Sequence, residues 1–137
     1  MIEYHKIHSI YKRDEKGNLI PGQWALPEFE YLRNNEWEFT EKVDGTNIRV
    51  MFDGTNVTFG GKTDNAQIPS KLVMALYNMF PDEMMGNVFG RDFDTFVCLY
   101  GEGYGAKIQK AGGNYRPDQS FVLFDVKIGK WWLQGIS

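Results

Sequence analysis

Two short runs, Ile48-Arg49-Val50-Met51-Phe52 and Asn56-Val57-Thr58-Phe59, flank the dipeptide Asp53-Gly54. β-Branched and aromatic residues suit a pleated surface, and an Asp-Gly pair turns the chain where positive φ is needed. The pattern predicts an antiparallel hairpin, into whose frame the other segments must fit. Residues 2–24 read as an extended opening, with Lys16-Gly17-Asn18 as a turn between two short strands. Pro21-Gly22 through Pro27 carries few helix signals, and Trp37 to Glu41 reads as a strand. Ser70 is placed to cap a helix reaching about Phe80, with Leu72, Ala75, Leu76, Met79 and Phe80 on one face and Pro81 beyond its end. Phe96 to Tyr100, Ser120 to Val126 and Lys130 to Leu133 read as three further strands, the last two joined through Ile128-Gly129. The expectation is an α+β domain with mixed, mainly antiparallel sheets and a covering helix. No internal repeat, linker or low-complexity tract interrupts it.

The chain has 137 residues, 42% hydrophobic and 15% aromatic, which suits one domain with one core rather than disorder. Its net charge of -3 argues against binding nucleic acid by overall positive charge. The charge is uneven: residues 1–41 carry 5 Lys/Arg against 8 Asp/Glu, residues 42–100 carry 5 against 7, and residues 101–137 carry 5 against 3. In the last segment, Lys107, Lys110, Arg116, Lys127 and Lys130 either form a local phosphate-facing patch or are solvated surface cations. Cys98 is the only cysteine, which excludes an intramolecular disulfide, and within its apolar run it reads as a small buried hydrophobe. His5 and His8 lack a third ligand and read as surface or satisfied histidines, not a metal pair. No apolar stretch approaches the ~20 residues of a membrane span, and the N-terminal residues lack the apolar segment of a signal peptide. A soluble, cytoplasmic protein is expected.

The segment Glu41-Lys42-Val43-Asp44-Gly45-Thr46-Asn47 puts a lysine, a carboxylate and a glycine turn in one short loop. A lysine amine attacks phosphorus only when it is deprotonated and held in line. That takes a nearby cation or burial to lower its pKa, and a carboxylate and metal to steer the phosphates. The arrangement suits covalent nucleotidyl transfer. A Lys-x-Asp-Gly match alone also describes a surface lysine beside an ordinary turn, so the weight falls on three later segments.

Those segments are Phe59-Gly60-Gly61-Lys62-Thr63, Tyr100-Gly101-Glu102-Gly103-Tyr104-Gly105 and Phe121-Val122-Leu123-Phe124-Asp125-Val126. With the lysine loop they resemble, in order, motifs I, Ia, III and IIIa of the ATP-dependent RNA ligases of nick-sealing type. These belong to the covalent nucleotidyltransferase superfamily of DNA ligases and mRNA capping enzymes. Ile108-Gln109-Lys110 also resembles the nick-sealing ligases.

The resemblance covers nearly the whole chain and implies an ATP-grasp-like nucleotidyltransferase domain. It implies that Lys42 takes AMP from ATP as a phosphoramide and that Asp44 orients the lysine and the Mg²⁺-bound phosphates, making these two the catalytic residues. The implied nucleotide-binding set is Glu41, Lys42, Asn47, Lys62, Glu102 and Phe124, with no metal ligands assigned. Glu102 would accept a ribose hydroxyl hydrogen bond, and Phe124 would stack on adenine, a contact worth ~1–3 kcal/mol. Phe124 also suits a core position, since it shares a face with Val122 in an alternating strand. Asn47 stands where DNA ligases and capping enzymes usually carry arginine, which tilts the reading toward RNA. Arg49 either partly replaces that arginine or is an exposed strand residue. Lys62 departs from the family's usual arginine, keeping the charge without the planar fork.

The implied activity passes AMP from Lys42 to an RNA 5′-phosphate, and a 3′-hydroxyl then seals the strand. The family continues with a glutamate-containing strand and a Lys-x-Lys strand, and neither pattern stands in these residues. Residues 1–137 are therefore expected to be a partial domain. They would be a fragment of a longer ligase, a chain that needs a missing C-terminal segment or separate subunit, or a non-catalytic nucleotide- or RNA-binding remnant. A DNA ligase or capping guanylyltransferase is the further alternative, and Asn47 speaks against it.

Overall fold

In the computed structural model, which describes residues 3–92 and 96–133, β1 (Tyr11–Arg13) pairs antiparallel with β2 (Leu19–Trp24) around the Lys16-Gly17-Asn18 turn. The expected opening segment starts at residue 2, outside the described residues. Gly17 has φ 84°, and the Asp14 carboxylate accepts the backbone N–H groups of Lys16 and Asn18 at 2.9 Å each, which closes the turn. The rings of Tyr11 and Trp24 meet across the strand pair at 5.1 Å. A short helix, α1 (Pro27–Tyr31), follows, with proline in the first turn, where a missing N–H costs nothing.

Trp37 to Glu41 does not form the expected strand. The Trp37 indole N–H donates to the Leu32 carbonyl at 2.9 Å, and the ring meets Phe29 edge-on. Aromatic residues favour strands only where cross-strand neighbours cover them, and here the partners are local. These elements make up one compact unit, His5–Glu41.

The other unit joins Met1–Tyr4 with Lys42–Ser137. The Asp53-Gly54 turn links β3 (Thr46–Phe52) to β4 (Val57–Gly60), as expected. Gly54 has φ 97°, and the Asp53 carboxylate accepts the N–H groups of Thr55 and Asn56 at 2.8 and 2.7 Å. With β5 (Val97–Gly105), β6 (Gln119–Ile128) and β7 (Trp131–Trp132), these strands form a sheet in the order β4-β3-β5-β6-β7, every pairing antiparallel. The fold is α+β, as expected.

Strand β5 runs five residues past the expected end, so the glycine-rich segment around Glu102 lies in a central strand. The reason is steric. A Cβ at Gly101 would lie 2.3 Å from the Phe121 ring, and one at Gly103 would lie 2.4 Å from Leu72 Cδ2. These glycines let neighbours press directly onto the strand backbone.

Helix α2 (Ser70–Met79) covers one face of the sheet and buries Leu72 and Leu76. Ser70 is its first helical residue; Pro69 takes the cap position, with no side-chain cap hydrogen bond. A second helix, α3 (Asp82–Phe89), follows Pro81 and buries Met85. Its Asp82 carboxylate accepts the Val57 N–H at 2.9 Å, tying the helix start to β4. The main core lies between helices and sheet, with Ile48, Val50, Phe52, Val97, Leu99 and Phe121 from the strands. Residues alternate across a strand, so Met51, Cys98 and Tyr100 point the other way. They form a smaller buried cluster against Tyr4. Cys98 is buried, as expected.

Candidate active site

The second face of the sheet carries the candidate site. Along β3 the residues on this face are Met51, Arg49 and Asn47; along β5 they are Cys98, Tyr100 and Glu102. The register sets Asn47 directly opposite Glu102. Where the buried part of this face ends, Lys42, Val43, Asp44, Gly45, Asn47 and Glu102 line an open cleft of about 390 Å³, within the range of small-molecule sites.

Three contacts hold the lysine loop. A Cβ at Gly45 would stand 1.9 Å from the Gly103 carbonyl oxygen and 3.1 Å from Glu102 Cγ, so only glycine fits there. The Gln109 side-chain amide donates to the Gly45 carbonyl at 3.1 Å, and the Asp44 backbone N–H donates to the Tyr115 hydroxyl at 3.2 Å. Gln109 itself has φ 60°, a conformation uncommon for a residue with a side chain. The segment after β5 therefore clamps the loop from outside the sheet. The resemblance around Ile108-Gln109-Lys110 points at this segment, but the clamp through Gln109 and Tyr115 has no local sequence signal.

The electrostatics centre on Glu102. Burial holds its carboxyl above the ordinary glutamate range; nearby Lys42 opposes the shift and Asp44 adds to it. The native state thus holds this proton more tightly than an unfolded chain would. The penalty for ionising is absent below the ordinary carboxyl range and grows as pH rises through the raised native value. Glu102→Gln removes it. The variant is expected to melt above the wild type at pH 7, with the gap closing below about pH 4, as thermal melts at both pH values will show. A gap of equal size at both would locate the effect elsewhere.

The other expected residues are placed as follows. Lys62 is exposed in the turn after β4, and neither it nor Phe124 is among the residues lining the cleft. Glu41 is exposed and ends the other unit. Tyr100 pairs with Asp125 and Gly101 with Leu123, which makes Phe124 the extra residue of a β-bulge. Its ring is 43% exposed and meets Tyr4 edge-on at 5.1 Å. Tyr4, which no sequence signal marked, donates its hydroxyl to Asp125 and packs against Tyr100 and Trp132. Burial and the Asp125 carboxylate push its phenol up to about 12.

Arg49 is not the exposed strand residue of one expectation. It is buried, with its guanidinium on the Gly61 carbonyl and Asp64. Among the described residues, no group of three or more His, Cys, Asp or Glu is arranged to hold a metal ion. Nor is any helix long and apolar enough to cross a membrane.

The RNA ligase family model matches residues 35–134, a span that includes every residue of the cleft. No curated protein and no solved structure matches the chain. On the strength of the family match, this chain belongs to the RNA ligase family.

Proposed function

We propose that this chain is an adenylyltransferase of RNA-ligase type, with Lys42 as the nucleophile. The observation that carries this reading is the convergence of Lys42, Asp44, Asn47 and Glu102 on one cleft. In the first step Lys42 Nζ, having lost a proton to solvent, bonds to the α-phosphorus of ATP. The α–β phosphoanhydride bond breaks and pyrophosphate leaves. In the second, an RNA 5′-phosphate oxygen attacks that phosphorus, the Nζ–P bond breaks and Lys42 regains a proton. In the third, an RNA 3′-hydroxyl gives its proton to solvent and attacks the activated 5′-phosphate, the phosphoanhydride bond to AMP breaks, AMP leaves and the strand is joined.

Asp44 faces the same cleft as Lys42 and is suited to orienting the amine and the phosphates. Glu102 is suited to accepting a ribose hydroxyl hydrogen bond, for which its ionised form is the better acceptor. Asn47 opposite it adds a neutral donor and acceptor. Two carboxylates without a third ligand fit Mg²⁺ arriving with the ATP phosphates, as this ion keeps few protein ligands. When bound it would supply neutralisation of phosphate charge, with Asp44 as the carboxylate of the cleft suited to hold it. Phe124, at its bulge, offers an aromatic surface for a base, and exposed Lys62 a charge for a phosphate. RNA with 5′-phosphate and 3′-hydroxyl ends is the substrate of this reading.

Incubation with α-labelled ATP and Mg²⁺, followed by a denaturing gel, tests the first step. The wild type is expected to retain label and Lys42→Ala to retain none. A folded wild type that binds ATP in calorimetry without ever taking label would instead make the chain a nucleotide-binding remnant.

A further inference from the structure

Among the described residues, Arg49 is the one charged side chain that is buried, at 2% exposure. A guanidinium is stable in that position only where its donors find acceptors. Nε donates to the Gly61 carbonyl at 2.7 Å and Nη2 to Asp64 Oδ1 at 3.3 Å. Both acceptors belong to the turn that leaves β4, and Lys62 lies between them in the chain.

The turn starts beside the strand that walls the cleft. A Cβ at Gly61 would stand 2.6 Å from Ala66 Cβ and 3.7 Å from the backbone oxygen of Asn47, which lines the cleft. The Ala66 N–H closes the turn on the Thr63 carbonyl at 3.2 Å. Arg49 follows Asn47 by two residues on β3 and shares its face, so one strand presents a cleft residue and the residue gripping the neighbouring turn. Without such a grip, a glycine-led surface turn and the long side chain it carries would sample many conformations, each lost on binding a ligand.

We propose that Arg49 is a positioning residue that fixes the Gly61–Asp64 turn, and with it Lys62, so that the lysine ammonium binds a phosphate of ATP extending from the cleft. The inference rests on the nucleotide-binding reading above but not on transfer to Lys42. Donating to Gly61 and Asp64 at once from Nε and Nη2 of one planar group explains why this buried cation is an arginine: lysine offers a point charge without that fixed pair of donors.

Calorimetric titration with MgATP across a mutant cycle tests it. Arg49→Met is expected to weaken binding about tenfold, the scale of losing hydrogen bonds from a charged donor. Arg49→Lys should recover part of that loss. In a Lys62→Ala background, Arg49→Met should add nothing further. Asp64→Asn, at an exposed position and with an amide oxygen still able to accept from Arg49, should weaken binding severalfold by the same route. Equal losses from Arg49→Met with and without Lys62, or unchanged affinity in both Arg49→Met and Asp64→Asn, would overturn the proposal, as would a folded wild type that does not bind MgATP. A wild type that binds but takes no label would remove the adenylyltransferase reading and leave the positioning role to the cycle.

Discussion

Gly45→Ala is expected to cost about 3 kcal/mol of stability, the upper end for forcing an added group into a packed site. It is also expected to reduce labelling by ATP about 100-fold or more, the scale of a misplacement near 1 Å. The added Cβ would stand 1.9 Å from the Gly103 carbonyl oxygen, a backbone atom fixed in the centre of the sheet. The strand cannot yield, because Gly103 is paired to Thr46 on one side and Phe121 on the other. The loop must move instead, and it carries Lys42 and Asp44 on the residues just before Gly45. It would also strain the Gln109 bond to the Gly45 carbonyl and the Asp44 bond to Tyr115. Urea unfolding and labelling measured together check this. A variant with wild-type stability and wild-type labelling would show that the loop does not approach the strand as described.

How far the sequence alone could go depends on whether the deciding partner is local. The hairpin at Asp53-Gly54 and the helix on Leu72 and Leu76 are legible because turn chemistry and periodicity are properties of a short window. Trp37 to Glu41 has the composition of a strand, yet Trp37 finds Leu32 and Phe29 and no cross-strand neighbour. Helix α3 is short and holds Gly86, a poor helix former, which hides the helix from propensity.

The site divides the same way. Lys42, Asp44, Asn47 and Glu102 are legible as residue types in motifs. That Asn47 faces Glu102 follows from the register of β3 on β5, which no window contains. Arg49 gripping Gly61 and Asp64, Gln109 holding Gly45 and Tyr4 under Phe124 are all long-range contacts. Motif resemblance names the residues proposed to meet the ligand; it is silent on those that hold them in place.

The sheet also links the helix layer to the site through a single residue, and this carries the other large expected effect. Leu72 on α2 is fully buried, and its Cδ atoms occupy the space where a Gly103 side chain would start. The other side of the same glycine takes the lysine loop, since its carbonyl is what Gly45 abuts. Leu72→Ala is expected to cost about 2–5 kcal/mol, as buried leucine truncations do, and to loosen the strand backbone on which the loop rests. Gly103→Ala alone is also expected to destabilise, its methyl meeting Leu72 Cδ2 at 2.4 Å and Ile48 Cγ1 at 3.1 Å. Combined, the two changes should be less damaging than their sum by about 1–2 kcal/mol, because the new methyl enters the space the leucine leaves. Labelling by ATP should recover in the double variant together with stability, since both depend on where the Gly103 backbone sits. Denaturant midpoints for the four proteins give the coupling directly. Additivity within about 0.5 kcal/mol would mean that Leu72 and Gly103 do not share this space, and the path from helix to lysine loop would have to run elsewhere.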